Sequence, residues 1–421
     1  MMNRMIMRGW AAAAVSLSLL AGCGAQPQKE AEEWDAARSH LLGLTQEQRL
    51  EDYDVLVETL KESYLCMGVR DRANPQDPSQ EIFSEYRRMI EESDSDEAFY
   101  SAVYSTLFRL GTYGHLWIVE PEQYREYLEI YGQDTPPERE HWRQILADPV
   151  TRAGYERLET LLESYEEEEE GGASTSGDAP QVQTLLLPGG SVGYVKVDHF
   201  PSTYGPEQEQ LFSFYDTLGD CSDLIIDITD NSGGSELFWQ ELLAAPFLDG
   251  PLSCTHYALL ADSANNHPYV ENAFSDGTLQ PISQLPELPA LNREGLSAAT
   301  HFVESTLTAA PGTYRAPFHG RIWVLVGEKV YSASESFAVF CKETGFAVLV
   351  GEQTGGDGIG ALDPIFMRLP NSGLLVQFTM MFGLNADGSS NEETGTAPDI
   401  PSPAGEPALV TALRVIGERD V

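Results

Sequence analysis

Apolar positions recur at helical spacing through the first third of the chain and as short runs through the rest. Over residues 51–67, Tyr53, Leu56, Leu60 and Tyr64 fall on one helical face. Two further helices are predicted over 78–91 and 96–110, the second with Phe99, Val103, Leu107 and Leu110 on one side. Together the three predict a small helical N-terminal domain over residues 47–118. A charged stretch of helical pattern follows over 120–165 and runs into five glutamates, 166–170, and a Gly/Ser run, 171–177. Adjacent carboxylates repel and Gly and Ser offer little to bury, so residues 119–181 are expected to be a helical insertion ending in a solvated acidic linker. From Val182 the pattern changes. Short apolar runs at 184–187, 192–197, 224–228, 322–326 and 347–350 alternate with helical patterns at 207–218, 236–245 and 334–344. That alternation predicts an α/β core over 182–415. Within it, the Pro- and Asn-rich segment 250–320 is expected to be an insertion covering one end of the sheet, with a helix near 295–307.

Composition narrows the function classes. Of 421 residues, 66 are Asp or Glu and 25 Lys or Arg, a net charge of −41. No basic cluster stands ready to release counterions from a phosphate backbone, so a nucleic-acid partner is not expected. The apolar fraction, 42%, suffices for a large core. Cys66, Cys221, Cys254 and Cys341 show no Cys-x-x-Cys spacing and no nearby histidine pair, so no metal or other cofactor is expected. They read as buried thiols, with Cys221 and Cys254 the pair to check for a disulfide.

The N-terminus carries a second kind of signal. Arg4 and Arg8 precede an apolar run over 10–20 that ends in Leu20-Ala21-Gly22-Cys23. This resembles a bacterial lipoprotein signal. The resemblance implies a cleaved segment over 1–22, acylation of Cys23, a tether over 23–46, and an extracytoplasmic protein anchored by lipid to the cell membrane.

The chemistry concentrates at two turns. Residues 322–338 read as strand, tight turn and helix, with Ser332, Ala333 and Ser334 at the junction. A serine there lies over a helix N-terminus, where unpaired N–H groups stabilise an oxyanion; taken alone, Ser334 reads more readily as an ordinary N-cap. Residues 223–235 read as a buried strand entering a Gly233-Gly234 turn, where backbone donors face a ligand without side-chain obstruction.

Asp-Ile-Thr-Asp-Asn-Ser-Gly-Gly, then Tyr-Ser-Ala-Ser-Glu-Ser-Phe, then Val-Leu-Val-Gly-Glu-Gln-Thr-Gly-Gly, in that order, resemble the C-terminal processing (tail-specific) serine protease family. The resemblance covers about residues 187–401 and implies a ClpP/crotonase-like βαβ core. It makes Ser332 the nucleophile and gives the oxyanion hole to Gly233 or Gly234 with Ala333. The processing proteases proper place a lysine base about twenty-five residues after the serine, where this chain has Asp357, so no Ser-Lys dyad forms. The chain looks more like the tricorn-type branch, whose base is a histidine from the N-terminal domain. His115 matches that base and Glu392 the completing acid, with Glu393 the alternative. Gly114 stands where that branch has a serine. No PDZ domain is recognisable between His115 and Leu185, which leaves substrate choice to 250–320 or 120–165; Phe238, Trp239 and Tyr257 are candidates to line a cleft.

An imidazole is also the side chain best suited to take a serine proton near neutrality. Among the other histidines, His199 and His319 are the next candidates. The expected function is a surface-anchored serine peptidase acting on peptides or protein tails through an acyl-enzyme. The alternative is a lipoprotein that binds a peptide or small molecule on the same fold without catalysis. An acidic scaffold for cations or a basic partner is a third reading, supported by bulk charge alone.

Overall fold

The computed structural model describes residues 42–132, 136–166, 182–274, 277–293, 296–360 and 363–419. The expected signal segment, Cys23, most of the tether and the acidic linker lie outside the described residues.

The chain enters through α1 (Gln46–Ser63), where Thr45 and Gln48 form a reciprocal capping box. The single helix expected over 51–67 is two: α1 stops at Ser63 and α2 (Met67–Ala73) begins after Cys66. Helices α3 (Ser79–Glu91) and α4 (Asp96–Leu110) match their predicted spans, and Ser95 caps α4 by accepting the Ala98 N–H. Next come β1 (Trp117–Ile118), α5 (Pro121–Ile130), α6 (Glu140–Ala147) and α7 (Pro149–Glu166). These helices share their core with later strands. Leu56, Phe99 and Leu107 belong to the same buried cluster as Trp142, Phe366 and Phe378. Buried Asp52 on α1 reinforces that union by accepting the backbone N–H groups of Asn371 (2.7 Å) and Ser372 (2.8 Å).

The second half follows as β2 (Val182–Leu186), β3 (Val192–Val197), α8 (Gly205–Tyr215), β4 (Asp223–Asp227), β5 (Leu252–Leu260), α9 (His267–Ala273), β6 (Gln280–Pro281), β7 (His301–Ala309), β8 (Arg321–Val326), α10 (Ala333–Thr344), β9 (Val348–Gly351), β10 (Ile365–Arg368), β11 (Leu375–Phe378), β12 (Phe382–Leu384), α11 (Asn391–Thr394), β13 (Ile400–Pro401) and α12 (Ala408–Arg419). The central sheet has the order β13-β9-β8-β4-β3-β2. Its strands run parallel except for β2, which is antiparallel to β3. Every residue of β4 is buried, as the unbroken apolar run predicts for a parallel strand covered on both faces.

Residues 250–320 depart from expectation. In place of a helix near 295–307 stands β7, paired antiparallel with β5 from Leu252↔Ala309 to Leu260↔His301. With β12 and β6 these strands form a second sheet. The β7 sequence, His-Phe-Val-Glu-Ser-Thr-Leu-Thr-Ala, is rich in β-branched residues, and its exposed Glu304, Thr306 and Thr308 alternate in the period of a strand. A third sheet, β1-β11-β10, carries the N-terminal helices. Cys221 and Cys254 are free thiols, so the disulfide considered for them does not form. They sit in different apolar clusters.

Candidate active site

Strand β8, buried from Ile322 to Val326, delivers the chain through a turn closed by Val330 N–H on Gly327 O to Ser332. Ser332 adopts φ 59° and ψ −127°, a conformation costing roughly 1–3 kcal/mol in a residue with a Cβ. The surroundings enforce it. Ser332 N–H donates to Gly356 O (3.1 Å), and Ser336 N–H donates to Ser332 O (2.9 Å). The N-cap position of α10 belongs to Ser332, whose hydroxyl makes no capping bond. Ser334 is therefore no N-cap; its hydroxyl donates to Asn231 O (2.7 Å) and accepts the Tyr331 N–H (3.1 Å), locking the serine turn to the glycine turn.

Gly233 and Gly234 have φ of 110° and 125°. A Cβ on Gly233 would stand 2.9 Å from the Cβ of Ser332, and one on Gly234 2.0 Å from Phe200 O, so the approach demands glycine at both. Gly233 N–H is already committed to Asn231 Oδ1 (2.8 Å). Among the described residues, the N–H groups of Gly234 and Ala333 have no protein acceptor. Of the three expected oxyanion-hole residues, Gly234 and Ala333 thus have donors to offer, and Gly233 supplies the close approach.

The imidazole arrives from the other half of the molecule. After α4 the chain turns over Tyr113–His115, with Gly114 at φ 53° and His115 at φ 54°. A Cβ on Gly114 would meet Cys66 Sγ at 2.7 Å and Thr379 Cγ2 at 2.8 Å. Tyr64 OH donates to Tyr113 O (2.5 Å) and Thr379 N–H to Gly114 O (2.7 Å), so this turn is pinned from two sides. The His115 ring packs edge-on against Trp117 and brings Nε2 to 3.1 Å from Ser332 Oγ. Its side chain is 30% exposed. Burial nevertheless pulls the imidazolium down to about 4, which leaves the ring neutral and able to accept a proton at pH 7. Of the other candidates, exposed His199 flanks Gly234 at the edge of the site without a hydrogen bond to Ser332 among the described residues, and exposed His319 precedes β8, at the end of that strand away from Ser332.

Beside the imidazole lies a buried acid cluster. Tyr331 OH stands 3.1 and 3.2 Å from the two carboxyl oxygens of Glu392, 3.4 Å from Asp357 Oδ2 and 3.3 Å from Thr112 O. Burial and the neighbouring Asp357 push Glu392 well above the usual carboxyl range, and burial lifts Asp357 to about 7. Glu392, the completing acid of the expected site, therefore holds its proton more tightly than an ordinary carboxyl does. Glu393, the alternative, turns outward and pairs with Arg72 at 2.6 Å. Beneath the cluster, fully buried Glu335 on α10 accepts from Asn391 Nδ2 (2.9 Å) and Thr396 Oγ1 (2.6 Å), fastening the Glu392 segment to the serine helix.

Asp357 is the residue sequence reasoning passed over. Noted there only as the missing lysine, it places Oδ2 3.3 Å from His115 Nε2. Tyr331 was also missed, although it adjoins Ser332 in the quoted motif. Phe238 and Trp239 are fully buried and line no cleft; Tyr257 is half-buried.

A serine at a strand-to-helix turn, beside an imidazole and two unpaired backbone donors, is suited to acyl transfer. Residues 191–402, half of the chain, match the model of peptidase family S41. The chain belongs to that family, the tail-specific serine proteases, and its helical N-terminal region and central mixed sheet have the family's α/β fold. No curated protein matches the chain. Among solved structures it is similar to a candidate peptidase from Parabacteroides merdae, at 18% identity over 89% of this chain and 96% of that one, with a TM-score of 0.51. It is also similar to mature CPAF complexed with lactacystin, at 14% identity over 89% and 97%, with a TM-score of 0.51. At these identities the likeness is one of fold.

Proposed function

We propose that the protein is a serine peptidase of the tricorn-like Ser/His type, cleaving peptides or protein tails through an acyl-enzyme on Ser332. The observation that carries this reading is the 3.1 Å approach of His115 Nε2 to Ser332 Oγ across 217 positions of sequence. The neutral ring takes the hydroxyl proton as Oγ bonds to the scissile carbonyl carbon. The carbonyl oxygen, now anionic, is received by the N–H groups of Ala333, at the start of α10, and of Gly234, in the glycine turn. The imidazolium then returns its proton to the leaving amine as the C–N bond breaks, and water resolves the ester by the same path. Glu392 anchors the residue before the nucleophile by accepting from Tyr331 OH at 3.1 Å. The pattern ending in Cys23 supports a lipid anchor on the outer face of the membrane; Cys23→Ala is expected to move the protein from the membrane fraction to the soluble one, and an unchanged distribution argues against the anchor.

Incubation with a peptide library, followed by mass spectrometry, tests the activity. Products that appear with the parent and vanish with Ser332→Ala support a peptidase. An intact library with the parent would leave the fold as a binding scaffold.

A further inference from the structure

We propose that Asp357 is a positioning residue, holding on Nε2 of His115 the proton that this nitrogen takes from Ser332. The inference rests on the peptidase reading above and concerns a side chain that reading does not use.

The geometry is unusual in one respect. A carboxylate that orients a catalytic imidazole ordinarily addresses the nitrogen turned away from the serine. Here Asp357 Oδ2, at 3.3 Å, and Ser332 Oγ, at 3.1 Å, address the same Nε2. Asp357 is held there on both flanks: Gly356 O accepts the Ser332 N–H, and Gly358 N–H donates to Asn391 Oδ1 (2.7 Å). The titratable groups around it are Tyr331 and Glu335 from the serine turn and helix, Glu392 from α11, His115, and Tyr64 and Cys66 from the α1–α2 junction. Tyr331 OH lies within hydrogen-bond reach of both Asp357 and Glu392. Burial lifts Asp357 to about 7, so its ionised form is populated at neutral pH.

Before reaction, an ionised Asp357 meets a neutral ring, a charge facing a dipole. During reaction the Oγ–H bond breaks, Nε2 gains the proton, Oγ bonds to the carbonyl carbon, and the carbonyl π pair moves onto oxygen. Asp357 then faces an imidazolium. The attraction is stronger after the transfer than before it, so the carboxylate favours the proton-transfer step over the resting state. It also offsets the desolvation that weakens His115 as a base.

The test is the rate of covalent labelling by a fluorophosphonate between pH 5 and 9, for the parent and Asp357→Asn, beside an imidazole ¹⁵N NMR titration of His115. Asparagine tolerates the positive φ of 57° at this position as aspartate does, so the backbone is retained. The parent rate is expected to rise through pH 7. Asp357→Asn should label roughly 10²-fold more slowly and lack that rise. Asp357→Glu, which restores the charge, should recover about tenfold of the loss, which a purely structural role would not give. The His115 titration should move to lower pH in Asp357→Asn. A variant with the parent's rate and profile, or an unmoved His115 titration, overturns the proposal. Failure of the parent to label would sink the peptidase reading instead, and the NMR titration, which needs no turnover, still decides the role of Asp357.

Discussion

The two halves of the site are built in different ways. The nucleophile half is built from backbone: β4 with its glycine turn and β8 with α10 occupy two short stretches of chain, and backbone hydrogen bonds fix Ser332 to Ser336 on its own helix and to Gly356. The base half is a mosaic. His115 is held by Tyr64 and Cys66 before it and by Asp357 and Thr379 far after it, mostly through side-chain packing and buried polar contacts. A ladder of backbone bonds tolerates side-chain substitution; a mosaic has no such reserve. The base half should therefore be the easier to disable without unfolding the protein.

Substitutions test that asymmetry. The largest effect is expected from Ser332→Ala, which should abolish covalent labelling and peptide cleavage outright. His115→Ala should slow labelling by roughly 10²–10⁴-fold while leaving thermal unfolding near the parent's. Asp96→Ala addresses the scaffold behind the base. Arg49 and Asp96 are both fully buried and paired at 3.0 Å, and removing the acid from a buried pair costs about 3 kcal/mol. Urea unfolding should show that loss, with the labelling rate of the folded protein unchanged. Gly114→Ala should do the reverse. The added methyl collides with Cys66 and Thr379, and a displacement of His115 by about 1 Å is expected to slow labelling roughly 10²-fold. Equal losses from Gly114→Ala and from a substitution in the serine turn would erase the proposed difference between the halves.

The smallest effect concerns pH and stability. Asp357 binds its proton more tightly when folded, at about 7 against an ordinary value of 3.8. Between those values the native state holds more protons than the unfolded chain, so this group's contribution to stability is full below the lower value and is lost as pH rises toward 7. Asp357→Asn should gain in urea midpoint over the parent at pH 7, and the gain should vanish by pH 4. An identical offset at both pH values would mean that burial of the carboxyl is not the cause.

Local signals in the sequence were sufficient for the nucleophile half. A buried strand, a tight turn and a helix start within seventeen residues, and Gly233-Gly234 follows β4 after five residues. The apolar spacing of α3 and α4 was legible for the same reason. What escaped was decided at a distance. Residues 301–309 offer Phe302, Val303 and Leu307 at spacings compatible with a helix, and pairing along β5 makes them a strand. The residue type at His115 was suggestive, but its neighbourhood with Ser332 depends on the sheet of β1 meeting the sheet of β8. Asp357 and Tyr331 were invisible as site members because aspartate was weighed only against the lysine it replaces. What gives them a role is a positive φ at Asp357 and a hydroxyl poised between two buried carboxyls.

The central claim is that Ser332 is activated by an imidazole from the other half of the molecule. Intact-mass analysis after fluorophosphonate treatment of the parent, Ser332→Ala and His115→Ala tests it most directly. The account predicts one adduct on the parent, mapped to Ser332, none on Ser332→Ala, and little or none on His115→Ala in the same time. An adduct that forms on His115→Ala at the parent's rate, or a parent that takes up no label, would contradict it.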